Sequence, residues 1–166
     1  MGITEVKPKN FRYLLSNSEI ALEGYELFGS NLQNKTGRGV CIYIQNTLQA
    51  NPVEFKTNFE ESVWVSIKLV DSDELLIGCI YRSSSGNDTN NENLLKLLLE
   101  INKAKYCHLL IMGDFNFEKI NWDTWSTPSN ESCIDFKFIE CIRDSFLFQH
   151  VHKPTRAHID HKPHIL

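Results

Sequence analysis

His108-Leu-Leu-Ile-Met-Gly-Asp-Phe-Asn116 is the stretch that decides how this chain folds. Leu109 to Met112 is a short apolar run closed by a glycine, which predicts a buried strand rather than a helix. Just beyond it stand an acid, Asp114, and an amide, Asn116. In extended backbone, residues two apart face the same way, so both polar heads would project from the carboxyl edge of a sheet. Open α/β sheets place their chemistry at that edge. A carboxylate beside an amide can hold a water for attack on a phosphate while donating a hydrogen bond to it. Gly, Asp and Asn also serve a plain strand-to-turn junction, and these residues alone leave that alternative open.

Working outward, Gly39-Val-Cys-Ile-Tyr-Ile44 predicts a strand after a Gly-rich turn. Between Ser62 and Leu69 the residues Val63, Val65, Ile67 and Leu69 alternate with Trp64, Ser66 and Lys68, the period of a strand. Asp71-Ser-Asp73 turns the chain into Glu74 to Tyr81, so the two segments predict a hairpin. Asn90 or Asn91 is expected to cap a helix with Leu94, Leu95, Leu98, Leu99 and Ile101 at helical spacing, running towards Lys105. A second helix is expected from about Ser132 to Asp144, with Ile134, Phe138 and Ile142 on one stripe. Phe115 to Asn130, holding Trp122, Trp125 and Pro128, reads as a long loop of the kind that often carries function. Strand meanders broken by helices predict a mixed-sheet α/β layer protein, one domain over residues 1–166.

A net charge of −4 argues against binding nucleic acid through a broad basic surface. A nuclease stays possible, because metal-holding acids lower the charge while a few cations touch phosphates. Lys7, Lys9 and Arg12, and later Lys153 and Arg156, are such local cations, or simply solvated charge. No apolar run approaches the ~20 residues that span a bilayer, so no membrane is expected. The start of the chain lacks the apolar core of a secretory signal, and Val6 stands where a myristoylation site needs Ser or Thr. Five cysteines without a C-x-x-C pair predict neither a disulfide framework nor a zinc ribbon; Cys41 and Cys79 read as core thiols in a reducing, intracellular setting. His150, His152, His158, His161 and His164 crowd the last part of the chain, but their spacing matches no closed metal site.

Three segments, Gly113-Asp-Phe-Asn116, Ile80-Tyr-Arg-Ser83 and Ile3-Thr-Glu5, together resemble the endonuclease/exonuclease/phosphatase superfamily, which includes the deoxyribonuclease I-like and apurinic-site endonucleases. The chain is most similar to the endonuclease domain of non-LTR retrotransposons. There, segments like Ile3 to Lys9, Gly37-Arg-Gly-Val40, Glu61-Ser-Val-Trp64, Leu76 to Arg82, Gln149-His-Val151 and Pro154-Thr-Arg156 recur in this order. The resemblance implies a four-layer α/β sandwich and a metal-dependent DNA-nicking endonuclease. It makes Glu5 the ligand of Mg²⁺ or Mn²⁺, a hard cation held by carboxylate oxygens. It makes Tyr81 a hydroxyl donor to the scissile phosphate, Asp114 the residue that orients the attacking water, and Asn116 a holder of that water or the phosphate. DNA is the implied partner, with a reverse transcriptase domain downstream in the full element.

The departures carry expectations too. The family's first strand, bearing an asparagine of the site, should precede Ile3. A later strand and a closing Ser-Asp-His should follow Arg156, and Asp160-His161 comes too soon to be that motif. The sandwich is therefore expected to be incomplete, with apolar faces and strand edges exposed and solubility poor. Lacking the histidine partner, activity is expected to fall at least ~10²-fold against a complete domain. A catalytically inactive remnant with at most weak DNA binding is the alternative.

Overall fold

The computed structural model describes residues 1–8, 11, 13–16, 18–33, 37–104, 106–153, 155–158 and 161–164, with the side chains of 156–158 and 161–164 left out. Lys9, Arg12, Lys105, Pro154 and Asp160 lie outside the described residues, as do the side chains of Arg156, His158, His161 and His164. Among the described residues the chain is mixed α/β and packs as two compact units. The first holds residues 1–82 and 105–114, the second residues 83–104 and 115–166.

The first unit contains two sheets. β1 (Gly2–Thr4), β3 (Val40–Gln45) and β2 (Tyr25–Ser30) form an antiparallel sheet in that order. β4 (Ala50–Pro52), β5 (Ser62–Lys68), β6 (Glu74–Tyr81) and β7 (His108–Asp114) form the other, with β6 and β7 parallel. The β5–β6 hairpin takes the expected register, Val63 opposite Cys79, and turns through a single 3-10 turn at Val70–Ser72. Period-two alternation explains the packing. Val40, Ile42 and Ile44 of β3, Val65 and Ile67 of β5, and Ile77, Cys79 and Tyr81 of β6 make one buried cluster between the sheets. Each fully buried Val or Ile there contributes about 1.5–3 kcal/mol. The opposite face of β3, Cys41 and Tyr43, packs with Leu32 in a second cluster.

β7 departs from the buried strand expected of its apolar run. It is an edge of the four-stranded order, and Leu110 is 45% exposed. Apolar content cannot distinguish a central strand from an edge one, because the neighbour that covers it is set by topology.

In the second unit α1 (Asp88–Lys103) packs with α2 (Ile134–Asp144). The cap of α1 is Asn87, three residues before the earlier of the two expected caps; its side chain accepts a 2.8 Å hydrogen bond from the Asn90 backbone N–H. Asn90 and Asn91 therefore lie inside the helix, and Asn91 is buried. Leu94, Leu97, Leu98 and Ile101 form the buried stripe, while Leu99 is 46% exposed. Leu97 replaces Leu99 because the stripe follows the 3.6-residue turn, not the whole leucine run. Phe138, Ile139, Cys141 and Ile142 bury the facing side of α2, and Phe117 stacks on Phe138 with ring centroids 4.3 Å apart. The segment expected as a long loop is irregular apart from the bridge between Asn121 and Ser126. β8 (Arg156–His158) and β9 (His161–His164) pair antiparallel. Among the described residues no helix is long and apolar enough to cross a membrane.

All five cysteines are free, and Cys41 and Cys79 are core thiols as expected. Loss of water around Cys79 pushes its thiol up to about 11, so at pH 8 almost none is thiolate. Alkylation of the native chain at pH 8, read by peptide mass spectrometry, is expected to mark exposed Cys107 quickly and Cys41 and Cys79 only after denaturant is added. Equal labelling of Cys79 and Cys107 without denaturant would refute this core.

Candidate active site

Glu5 follows β1 directly, and its backbone is left-handed at φ 53°. A glutamate holds that conformation at a cost of about 1–2 kcal/mol, so neighbouring contacts must enforce it. They are visible on both sides. The antiparallel pairing of β1 with β3 ends at Thr4 opposite Val40, yet the chain stays tied beyond it. The Val6 N–H donates to the Gly39 carbonyl at 3.2 Å, and the Lys7 N–H to the Arg38 carbonyl at 2.9 Å. β1 also lies against β6 and β7. The turn at Glu5 therefore directs its side chain towards the last residue of β6.

That residue is Tyr81. Its hydroxyl donates to Glu5 Oε1 at 2.8 Å, across 76 residues of sequence. Arg38 Nη1 meets the same oxygen at 2.5 Å. The Glu5 and Arg38 side chains are 41% and 37% exposed, so the pair is open to solvent and adds at most about 1 kcal/mol to stability. Its interest is chemical: one carboxylate oxygen receives a phenol and a guanidinium together.

Asp114 ends β7 and is in register with Tyr81 in the parallel pair. The Asp114 carbonyl accepts a 2.8 Å hydrogen bond from the Arg82 N–H, which fixes the strand ends together. Burial, the hydrogen bond to Glu5 and the charges of Glu5 and Asp114 push the Tyr81 phenol up to about 12, with Arg38 opposing them. At neutral pH Tyr81 is therefore a hydrogen-bond donor and never a base. Glu5, Tyr81, Arg38 and Asp114 thus gather within the first unit.

Asn116 belongs to the second unit. Its φ is 50°, and β7 stops at Asp114, so the backbone does not run extended from the acid to the amide. Of the two readings that Gly, Asp and Asn leave open, the backbone takes the strand-to-turn junction here, and asparagine tolerates the left-handed region better than most residues. Gly113 is demanded by close approach: a Cβ there would stand 1.8 Å from the carbonyl oxygen of Ile80.

The sequence assigns no role to two charged residues of this rim, Arg38 and Glu61. Arg38 is held by Glu61, whose Oε1 accepts from the backbone N–H of Arg38 at 2.5 Å and of Gly39 at 3.0 Å. Gly37 and Gly39 flank it at φ 79° and 72°, conformations that suit glycine. The segments around Arg38 and Glu61 stand out as motifs, but a side chain bonding backbone 22 or 23 residues away leaves no local signal. Lys7 is buried; loss of water lowers its pKa, and the Glu61 carboxylate counters this.

The donor chemistry fits a hard divalent cation. Glu5 offers carboxylate oxygen to solvent, and a cationic group, Arg38, already sits on it. Among the described residues no cluster of three or more His, Cys, Asp or Glu has metal-binding geometry. Mg²⁺ needs fewer protein ligands than that, because it keeps several waters and takes substrate oxygens. No protein-family model matches the chain, and a search of curated proteins finds no match.

Proposed function

We propose that this chain is a metal-dependent phosphodiesterase, a DNA-nicking endonuclease domain of the non-LTR retrotransposon type with the four-layer deoxyribonuclease I-like sandwich. The single observation that supports it most is the meeting of Glu5 and Tyr81 at 2.8 Å. Two residues far apart in sequence, and given related roles by resemblance alone, share one hydrogen bond beside the strand end that carries Asp114.

In this reading Glu5 holds Mg²⁺ or Mn²⁺. When bound, such an ion supplies charge neutralisation to the phosphate and its leaving oxygen. Tyr81, protonated at any physiological pH, donates its hydroxyl to a non-bridging phosphate oxygen. Asp114 accepts a proton from the attacking water and aims its lone pair at phosphorus. Asn116 donates its amide to that water or to the phosphate. DNA is the substrate, and a reverse transcriptase domain in the parent protein would use the 3′-hydroxyl that nicking exposes.

The inactive-remnant reading has one observation in its favour: Arg38 neutralises the carboxylate meant for the cation. Supercoiled plasmid separates the two. With Mg²⁺, the chain is expected to convert it to open circles, and Tyr81→Phe is expected to slow this about 10²-fold, the usual cost of one oriented donor. Plasmid binding with no more nicking than a Glu5→Gln control would overturn the endonuclease and leave the remnant.

A further inference from the structure

The Gly37–Gly39 turn is fastened from two directions, and the fastening has one product, a guanidinium over Glu5. On one side the Glu61 carboxylate takes the N–H groups of Arg38 and Gly39. On the other, the carbonyls of the same two residues take the N–H groups of Lys7 and Val6, immediately after Glu5. Glu61 reaches the site by a third bond as well, since its backbone carbonyl accepts from the Tyr81 N–H at 2.8 Å. The turn, the metal-ligand candidate and the phenol-bearing strand end are thus joined through one residue.

Electrostatics gives the arrangement a purpose. Glu5 and Asp114 bring two carboxylates to this rim, one bonded to the Tyr81 hydroxyl and the other in register with Tyr81, and Arg38 meets Glu5 at 2.5 Å. A guanidinium and a hydrated divalent ion both seek the same carboxylate, and like charges at contact distance repel even in water. The Arg38 side chain is 37% exposed, which leaves it room to move.

We propose that Arg38 is an internal counter-cation of this site, that Glu61 is the positioning residue holding it there, and that a divalent ion reaches Glu5 only by displacing the Arg38 guanidinium. The displaced guanidinium, still tethered by the clasped turn, then meets the phosphodiester as a bidentate partner, the geometry arginine suits best. Apo and metal-loaded forms so use one cation each at Glu5, and the rim is never left with its acids uncompensated. The inference rests on reading Glu5 as a cation ligand, but its test does not need turnover.

Mn²⁺ alone, titrated into the full chain and followed by loss of the free-ion electron paramagnetic resonance signal, is the probe. Arg38→Gln is expected to tighten Mn²⁺ binding about tenfold, because the competing charge is gone. Arg38→Lys should return affinity towards the parent value, and Glu5→Gln should abolish binding. Glu61→Ala should tighten binding as Arg38→Gln does, while Glu61→Gln, which keeps an accepting oxygen for the two N–H groups, should fall near the parent. At saturating Mn²⁺, Arg38→Gln should raise the KM for plasmid more than it lowers kcat. Unchanged or weaker Mn²⁺ binding in Arg38→Gln, with its circular dichroism intact, overturns the inference, as does an absence of binding in both parent and Arg38→Gln. Tighter binding without nicking in any variant would uphold it and refute the endonuclease.

Discussion

Asp114→Ala is expected to lower Mg²⁺-dependent plasmid nicking by about 10²–10⁴-fold, the range for removing a positioned proton acceptor. The fold should survive, because the backbone link of Asp114 to β6 stays in place in the variant. Its carbonyl accepts from the Arg82 N–H, and its register partner is Tyr81. Substituting alanine keeps both. Removing the carboxylate also takes away a charge that raises the Tyr81 phenol, so the tyrosine would be a slightly better donor in the variant. The loss of rate would then belong to the missing acceptor, not to a weakened phosphate contact. Nicking within threefold of the parent, alongside an unchanged melting curve, would remove Asp114 from the mechanism.

Gly113→Val should have the largest effect on the fold itself. Even one methyl group at this position would lie 1.8 Å from the Ile80 carbonyl oxygen and 2.8 Å from the Ile80 backbone nitrogen. These are backbone atoms of the β6–β7 pairing, where Gly113 is opposite Ile80 one pair before its end, so no rotamer change can relieve the clash. The φ of 142° adds strain for any L side chain. Overpacking at about 1–3 kcal/mol and backbone strain at about 1–3 kcal/mol together approach the whole stability of a small domain. Urea unfolding followed by tryptophan fluorescence should find the variant unfolded or shifted to a far lower midpoint. A midpoint equal to the parent's would show that β7 does not approach β6 this closely.

Much of the secondary structure was legible because it depends on local periodicity. The alternation through Val63, Val65 and Ile67 locates β5, and the apolar run from Leu75 locates β6, since each side chain's face follows from its own position. The cap of α1 was missed because three asparagines, Asn87, Asn90 and Asn91, compete, and only the first has the extended backbone of a cap. The exposure of β7 was missed because strand order is a property of the whole sheet.

The candidate site divides in the same way. Asp114 announced itself by standing after a strand, and its proximity to Tyr81 follows from parallel pairing of the strands that carry them. Glu5 had no local mark at all, and only resemblance singled it out. Arg38 and Glu61 were passed over because their partners lie 33 and 22 or 23 residues away, distances at which single-sequence patterns are silent.

The conformation of Glu5 has an evolutionary side. Glycine there would relax the left-handed turn and make the chain sturdier, yet it would erase the oxygen that Tyr81 and Arg38 share. Robustness and chemistry are in conflict at this one position. A lineage released from any need to cut would be free to drift towards the easier backbone, so the acid at this kink is the first letter to watch for decay.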